Sequence, residues 1–163
     1  MVTRRILTVA LPLFVLAACN PFRREPAVQV STQDATLNTR WHGNLASPSS
    51  LAGAVQMNGT ASMAPNSDST GTEIRLDLAN AAPGGVHPWS AHWGQCGNGS
   101  SSGMLGSSEA YEPIKVGSDG RATGTANLSM QTPRSGSYFV VIYASVANDR
   151  LIVACGNLAP PTQ

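Results

Sequence analysis

The sequence predicts an all-β domain of seven or eight short antiparallel strands, packed as a sandwich or barrel from Thr39 onward. Residues Glu73–Leu78 alternate between polar and apolar, which is the period-two pattern of a strand with one buried face. No window after Thr39 repeats apolar residues at helical spacing, and 16 glycines and 11 prolines would interrupt most helices. Clusters of Gly, Pro, Asn, Asp and Ser separate the apolar runs and mark turns.

Six further stretches are predicted as strands because clusters of turn-forming residues separate them. Ser118, Asp119 and Gly120 predict a tight turn before one of them. The Gly- and Ser-rich stretch Gly97–Gly106 predicts a flexible loop inside one domain, since no internal repeat is present. The predicted strands are Arg40–Leu45, Leu51–Ala61, His87–Trp93, Ala122–Leu128, Tyr138–Ser145 and Leu151–Cys155.

The first 18 residues have the organisation of an export signal. Arg4 and Arg5 form a basic start, and the apolar run Ile6–Ala18 that follows is too short to cross a bilayer comfortably. The sequence Leu-Ala-Ala-Cys that ends at Cys19 resembles the lipobox of bacterial lipoproteins, in which the cysteine is lipidated and becomes the first residue of the mature chain. An ordinary secretory signal with a chance cysteine is the alternative.

We therefore predict three segments: a signal peptide at residues 1–18, a lipidated cysteine with a flexible tether at 19–38, and the β-domain at 39–163. Acyl chains on Cys19 would anchor the domain to a membrane of a bacterial cell envelope, where it faces the periplasm. Asn20 follows Cys19 in place of the aspartate that favours inner-membrane retention in enteric bacteria. We therefore expect the outer membrane rather than the inner one.

The three cysteines divide into one anchor and one predicted bridge. With Cys19 acylated, Cys96 and Cys155 remain, and an exported chain in an oxidising compartment normally joins two remaining cysteines. Closing a loop of about 60 residues would stabilise the fold by about 4 kcal/mol on the chain-entropy model. Two free thiols are the alternative, and the wide spacing excludes a CxxC redox motif.

Composition excludes several functions. Only 12% of the residues are charged, and ten basic against nine acidic residues give a net charge of +1, so we expect no nucleic-acid partner. The chain has three histidines, so a metal site that needs six histidine ligands is excluded. Ser90 and His92 lack an orienting acid and a nucleophile-elbow sequence, so no hydrolase triad is predicted.

Three stretches of the β-domain carry a family resemblance. The first is Pro83–His92 (PGGVHPWSAH) followed by Cys96, the second is Tyr138–Ala144 (YFVVIYA), and the third is Leu151–Gly156 (LIVACG). In this order they are similar to the PG.HGFH.H stretch with its following cysteine, the VVVHA strand and the RLACG ending of the copper/zinc superoxide dismutase family. The resemblance covers about residues 51–158, and it implies a Greek-key β-barrel or flattened sandwich with the same two cysteines bridged.

The resemblance also implies where the family's metal sites would fall. The two copper-binding histidines of the first stretch match Ser90 and His92, and the copper-binding histidine of the second matches Tyr143. His87 matches the family's structural histidine, which braces a loop and binds no metal. No histidine follows His92, so the family's bridging and zinc-binding histidines have no counterpart.

Ligand chemistry indicates a vestigial site at Ser90, His92 and Tyr143. Copper(II) favours several imidazole nitrogens, and zinc needs about four N, S or O ligands. One histidine with a serine and a tyrosine supplies neither set. We therefore expect no catalytic residue and no cofactor, with zinc less expected than copper. A residual copper ligand at His92 is the alternative to a hydrogen-bonded histidine.

Several other side chains have two interpretations. Trp89 is predicted in the core, whereas Trp93 fits either the core or an exposed aromatic platform for a ligand. His42 is predicted at the surface. The methionines could serve as soft copper ligands, but their scatter favours core or surface positions: Met57, Met63, Met104 and Met130.

The sequence as a whole predicts an envelope lipoprotein with a superoxide-dismutase-like domain that has lost most metal ligands and has a non-catalytic binding or structural role. Its predicted partners are the membrane, through Cys19, and an unidentified envelope ligand. The first alternative is a superoxide dismutase or copper-binding protein with an altered site that uses His92, with His87 and Tyr143 as further candidates. The second is a carbohydrate- or peptide-binding module that uses Trp93 and the Gly97–Gly106 loop.

Overall fold

The computed structural model describes residues 39–54, 56–97 and 103–161. The predicted signal peptide, the lipidation site Cys19 and the tether lie outside these residues. The described chain is all-β, as predicted, with two 3-10 turns at Ser49–Leu51 and Ser108–Ala110. No helix in this part of the chain has the length and apolar character needed to span a membrane.

The described residues form nine strands, two of them only two residues long, against the seven or eight predicted. The strands are β1 Trp41–Ala46, β2 Asn58–Pro65, β3 Thr72–Ala79, β4 Val86–His87, β5 Trp89–Trp93, β6 Ile114–Lys115, β7 Ala122–Leu128, β8 Tyr138–Ser145 and β9 Asn148–Leu158.

Seven strands form one antiparallel sheet in the order β5-β8-β9-β1-β2-β3-β7, and β4 pairs with β6 in a separate ladder. The sheet curls into a half-barrel, so that side chains from its two edges meet. A Cβ built on Gly124 of the edge strand β7 would lie 3.3 Å from Cε2 of Trp89 on the opposite edge strand β5. Because β4 contacts β8 and β6 contacts β7, the short ladder lies across the opening of the curled sheet.

The core follows the predicted period-two pattern. In β3 the apolar residues Ile74, Leu76 and Leu78 are buried, while Arg75 and Asp77 between them are exposed. Successive side chains of a strand point to opposite faces, so one face of β3 packs inside the half-barrel and the other meets solvent. The largest side chains of this core include Trp41 and Trp89, and the prediction that Trp89 is buried is confirmed.

The predicted strand Leu51–Ala61 is wrong in its first half, because β2 begins only at Asn58. The backbone N–H and the hydroxyl of Ser47 both donate to the carbonyl oxygen of Met57, at 3.0 and 3.1 Å, and close a loop between β1 and β2. Inside this loop the N–H of Leu51 donates to the carbonyl of Pro48, which starts a 3-10 turn in place of a strand.

The predicted strand His87–Trp93 is interrupted at Pro88. Proline has no N–H to donate to a sheet ladder. The chain therefore changes partner at this residue: Val86–His87 pair with β6, and Trp89–Trp93 pair with β8. At the other end of the chain, β9 extends beyond the predicted Leu151–Cys155 on both sides.

The predicted bridge between Cys96 and Cys155 is confirmed, with 6.0 Å between the two Cα atoms. Cys96 lies just after β5 and Cys155 lies in β9, so the bridge ties the segment after the edge strand to the interior of the sheet. The backbone N–H of Cys96 also donates to Oδ1 of Asn157, at 2.7 Å. The segment after β5 is thus fixed to β9 by one covalent link and one hydrogen bond.

Candidate functional site

The alternation of β5 separates a core face from an outer face. Trp89 and Ala91 belong to the main hydrophobic core. Ser90 and His92 therefore point to the outer face, opposite their register partners Val141 and Phe139 of β8. On this face Phe139 and Val141 form a smaller apolar cluster with Cys155, against which Cys96, Tyr143 and Ile152 pack.

Ser90 and His92 are joined directly by a hydrogen bond of 2.8 Å between the serine Oγ and the histidine Nε2. Either the hydroxyl donates to the ring nitrogen or the protonated ring nitrogen donates to the hydroxyl oxygen. Ser90 is only 2% exposed, so this bond satisfies a buried polar group. The half-buried imidazole of His92 also stacks on Phe139, with ring centroids 5.3 Å apart and an interplanar angle of 22°.

Tyr143 lies on the same outer face, two residues beyond the partner of Ser90 in β8. Its backbone connects β8 to the segment around Pro88: the N–H of Tyr143 donates to the carbonyl of Pro88 at 2.9 Å. The three positions predicted as a vestigial metal site therefore share one face. The side chains of Ser90 and His92 are joined by a hydrogen bond.

His87 is buried and contacts the backbone of β8. Its Nδ1 donates to the backbone carbonyl of Tyr143 at 3.0 Å, because a carbonyl oxygen can only accept. In the neutral ring Nε2 then carries the lone pair, and this atom is buried with no hydrogen-bond partner among the described residues. A Cβ built on Gly85 would lie 2.7 Å from this Nε2, so a glycine is needed at position 85 to make room for the ring.

The structure adds to the site one residue, Met104, which in the sequence is only one of four scattered methionines of the β-domain. Met104 pairs with His92 in an isolated antiparallel bridge on the free edge of β5. Gly103, Met104 and Leu105 thereby cover part of that edge. No sequence pattern indicates this pairing, because the two residues are separated by a loop and follow no common period.

The segment that carries Met104 is anchored by its neighbour Leu105, which is 1% exposed. The hydroxyl of Tyr111 donates to the carbonyl of Leu105 at 2.7 Å. Burial raises the pKa of Tyr111 to about 12, so the phenol keeps the proton that it donates even at pH 10. The Tyr111 ring packs edge-on against Trp89, with centroids 5.0 Å apart.

The side chains with two interpretations are now distinguished by exposure. Trp93 is 45% exposed and lies on the buried ring of Tyr138, with centroids 5.0 Å apart. His42 is exposed, as predicted. Met57 and Met63 are core residues and Met130 packs partly buried against the core, whereas Met104 is 38% exposed.

No group of three or more His, Cys, Asp or Glu side chains that could hold a metal ion occurs within residues 39–54, 56–97 and 103–161. This chain matches no protein-family model, and it matches no curated protein either.

Proposed function

We propose that this chain is an envelope lipoprotein whose β-domain is of the copper/zinc superoxide dismutase type and has a non-catalytic binding or structural role. The observation that carries the proposal is the 2.8 Å hydrogen bond between Ser90 and His92. It lies where the resemblance places two copper-binding imidazoles.

The strand order supports the Greek-key part of the proposal. From β3 the chain crosses to β5 at the opposite edge, returns to β7 beside β3, and crosses again to β8 beside β5. Long connections between non-adjacent antiparallel strands are typical of Greek-key barrels. The three stretches that carry the resemblance fall on β4 and β5, on β8 and on β9, and β5, β8 and β9 are neighbours in the sheet.

The hydrogen bond of His87 gives further support. Its Nδ1 donates to the carbonyl of Tyr143 and so connects β4 to β8 through a buried side chain. This contact suits a bracing residue, the role that the resemblance implies for His87. The contact therefore supports a scaffold role for the imidazole of His87 rather than a role at the outer face, where Ser90 and His92 meet.

The chemistry of the three matched positions argues against superoxide turnover. A copper ion that cycles between Cu(II) and Cu(I) needs several ligands that tolerate both states, and imidazoles are suited to this. Ser90 supplies a buried hydroxyl already bonded to His92, and Tyr143 supplies a phenol. The outer face therefore does not supply the imidazoles of a redox centre.

The proposal is tested by exposing the complete chain to Cu(II) and Zn(II), removing excess metal, and measuring bound metal by mass spectrometry and superoxide disproportionation in parallel. We expect no copper-dependent turnover. One tightly bound copper per chain with turnover would overturn the proposal and favour an altered dismutase. A Cys19→Ala variant tests the anchor separately, because it should abolish incorporation of labelled fatty acid.

The exposure of Trp93 favours a second candidate, a carbohydrate- or peptide-binding module. The indole is 45% exposed and rests on Tyr138, whose hydroxyl donates to the carbonyl of Ser135 at 2.8 Å. A braced aromatic face of this kind suits stacking by a sugar ring or a peptide side chain. Fluorescence titration with oligosaccharides and peptides tests it, and saturable binding should be lost in Trp93→Ala but retained in Val86→Ala.

A further inference from the structure

We propose that a pocket at one end of the half-barrel binds a small organic carboxylate with an apolar body, and that Arg134 holds the carboxylate. The pocket has a volume of about 330 Å³, which is within the range of small-molecule sites. It lies where β1 begins, where β2 and β9 end and where β7 connects to β8. The lining residues that the structure describes do not include Ser90, His92 or Tyr143, so this function goes beyond the one proposed above.

Three prolines give the pocket rigid apolar walls. Pro65 is the last residue of β2, Pro133 lies between β7 and β8, and Pro161 follows β9. The ring of a proline fixes its own φ, and its side chain has no polar atom. Pockets for small molecules combine such apolar walls with a few polar groups that orient the ligand. The prolines therefore suit the apolar body of the ligand.

The loop that forms one side of the pocket is held at two points. The indole N–H of Trp41 donates to the carbonyl of Pro133 at 2.8 Å, and the hydroxyl of Thr72 donates to the carbonyl of Met130 at 2.7 Å. Both donor residues are 0% exposed, so these bonds satisfy buried polar groups and are costly to break. A site that is ordered before the ligand arrives loses less conformational entropy on binding.

Arg134 gives the pocket its charge, because it is the only charged residue among the described residues that line it. Its side chain is exposed and forms no hydrogen bond or ion pair with the part of the chain that the structure describes. A planar guanidinium can donate two parallel N–H groups to the two oxygens of a carboxylate. Its single positive charge also matches one carboxylate better than a doubly charged phosphate.

The hydroxyl of Thr132, which also lines the pocket, cannot donate to an anion. The hydroxyl proton of Thr72 goes to the carbonyl of Met130, so Thr132 is the donor in the 3.0 Å contact between the two threonines. Its single proton is thereby used, and only its lone pairs remain. A carboxylate has only acceptors, so its recognition depends on Arg134 rather than on this hydroxyl.

The probe is 2-naphthoate, an aromatic carboxylate, and 2-naphthamide is its neutral control of nearly the same shape. Each is titrated by calorimetry into the complete chain and into the variants Arg134→Gln and Arg150→Gln. We expect one 2-naphthoate per chain, with a dissociation constant of about 1 mM or tighter. Arg134→Gln should weaken this binding about tenfold or more, because a hydrogen bond to a charged group is lost. Arg150→Gln should leave it unchanged, since Arg150 is exposed near the opposite end of β9 from the pocket.

Indole resonances locate the bound probe. The indole N–H of Trp41 donates to Pro133 in the pocket wall, whereas that of Trp89 donates to the carbonyl of Glu112. In protein labelled with ¹⁵N at tryptophan, the Trp41 indole resonance should shift on addition of 2-naphthoate, and the Trp89 indole resonance should not.

Arg134 is exposed, so its replacement by glutamine leaves the core intact. Equal binding of 2-naphthoate by the wild type and by Arg134→Gln would overturn the inference. Equal affinity of the wild type for 2-naphthoate and 2-naphthamide, or no binding of 2-naphthoate at all, would do the same. A shift of the Trp93 indole resonance without that of Trp41 would also overturn it, and would place the probe on the exposed aromatic face of the second candidate function instead.

Discussion

Removing the bridge between Cys96 and Cys155 should cost the fold a large part of its stability. The two cysteines are 59 residues apart in the sequence, so the bridge excludes many open conformations of the unfolded chain. For a loop of this length the chain-entropy model gives about 4 kcal/mol at 25 °C. Most domains are stable by only about 5–15 kcal/mol, so the reduced protein should be close to unfolding at 37 °C.

The measurement is urea unfolding of the complete chain and of a Cys96→Ala, Cys155→Ala double variant, followed by tryptophan fluorescence. Trp41 and Trp89 are 0% and 3% exposed, so their emission should change when the core opens. The variant should unfold at lower urea, and its m-value should rise because its unfolded state exposes more surface. The wild type treated with a phosphine reductant should behave like the variant.

A loss below about 1 kcal/mol with an unchanged m-value would refute the entropic reasoning, since the chain-entropy estimate is several times larger. The variant Asn157→Ala is a useful comparison. It removes the side-chain acceptor for the N–H of Cys96 but keeps the bridge, and should cost only about 1 kcal/mol. A loss as large as that of the double variant would assign the stability to the local contact instead.

Three further predictions concern the core and the site. Gly124→Val should lower the free energy of unfolding by about 1–3 kcal/mol, because a Cβ at this position would already lie 3.1 Å from Cγ1 of Ile114. An unchanged free energy of unfolding, measured by urea titration, would contradict this packing. Stability should fall as pH rises from 10 towards 12, because burial raises the pKa of Tyr111 to about 12 and the folded state keeps a proton that the unfolded state loses. Tyr111→Phe should reduce this slope without abolishing it, because burial also raises the pKa of Tyr138, and an unchanged slope would contradict the assignment. A double-mutant cycle of Ser90→Ala and His92→Gln, measured by thermal unfolding, should give a coupling free energy of about 1 kcal/mol between the two residues. If the two substitutions instead lower the free energy of unfolding additively, the 2.8 Å bond contributes nothing to stability.

The sequence predicted those parts of the fold that depend on local pattern. The bounds of β7 and β8 agree with the prediction, because both strands carry uninterrupted apolar or alternating runs between clear turns. The start of β2 was wrong, because the contact between Ser47 and Met57 that closes the preceding loop is not visible as a pattern. The two residues of β6 are too few to have a period at all.

The site was predictable only where residues share a strand. Ser90 and His92 are two residues apart, so period two places them on one face, and their hydrogen bond follows from that spacing. Met104 reaches His92 across a loop, and only the hydrogen-bonding of the free edge of β5 determines which residue faces the histidine. The strand pattern also left the exposure of Trp93 undetermined. Trp93 shares a face with the buried Trp89, but it is the last residue of β5, where the pattern ends.

The position of β1 has a consequence for how the domain is made. This first strand lies between β2 and β9, and its residues Ala46 and His42 pair with Cys155 and Ala159 near the other end of the chain. Contacts between such distant residues form slowly, because a long loop must close before they gain any stability. The middle of the sheet therefore stays unfinished until the last strand has been synthesised. A chain cut before β9 would leave β1 with only one of its two neighbours in the sheet, so we expect it not to complete the half-barrel.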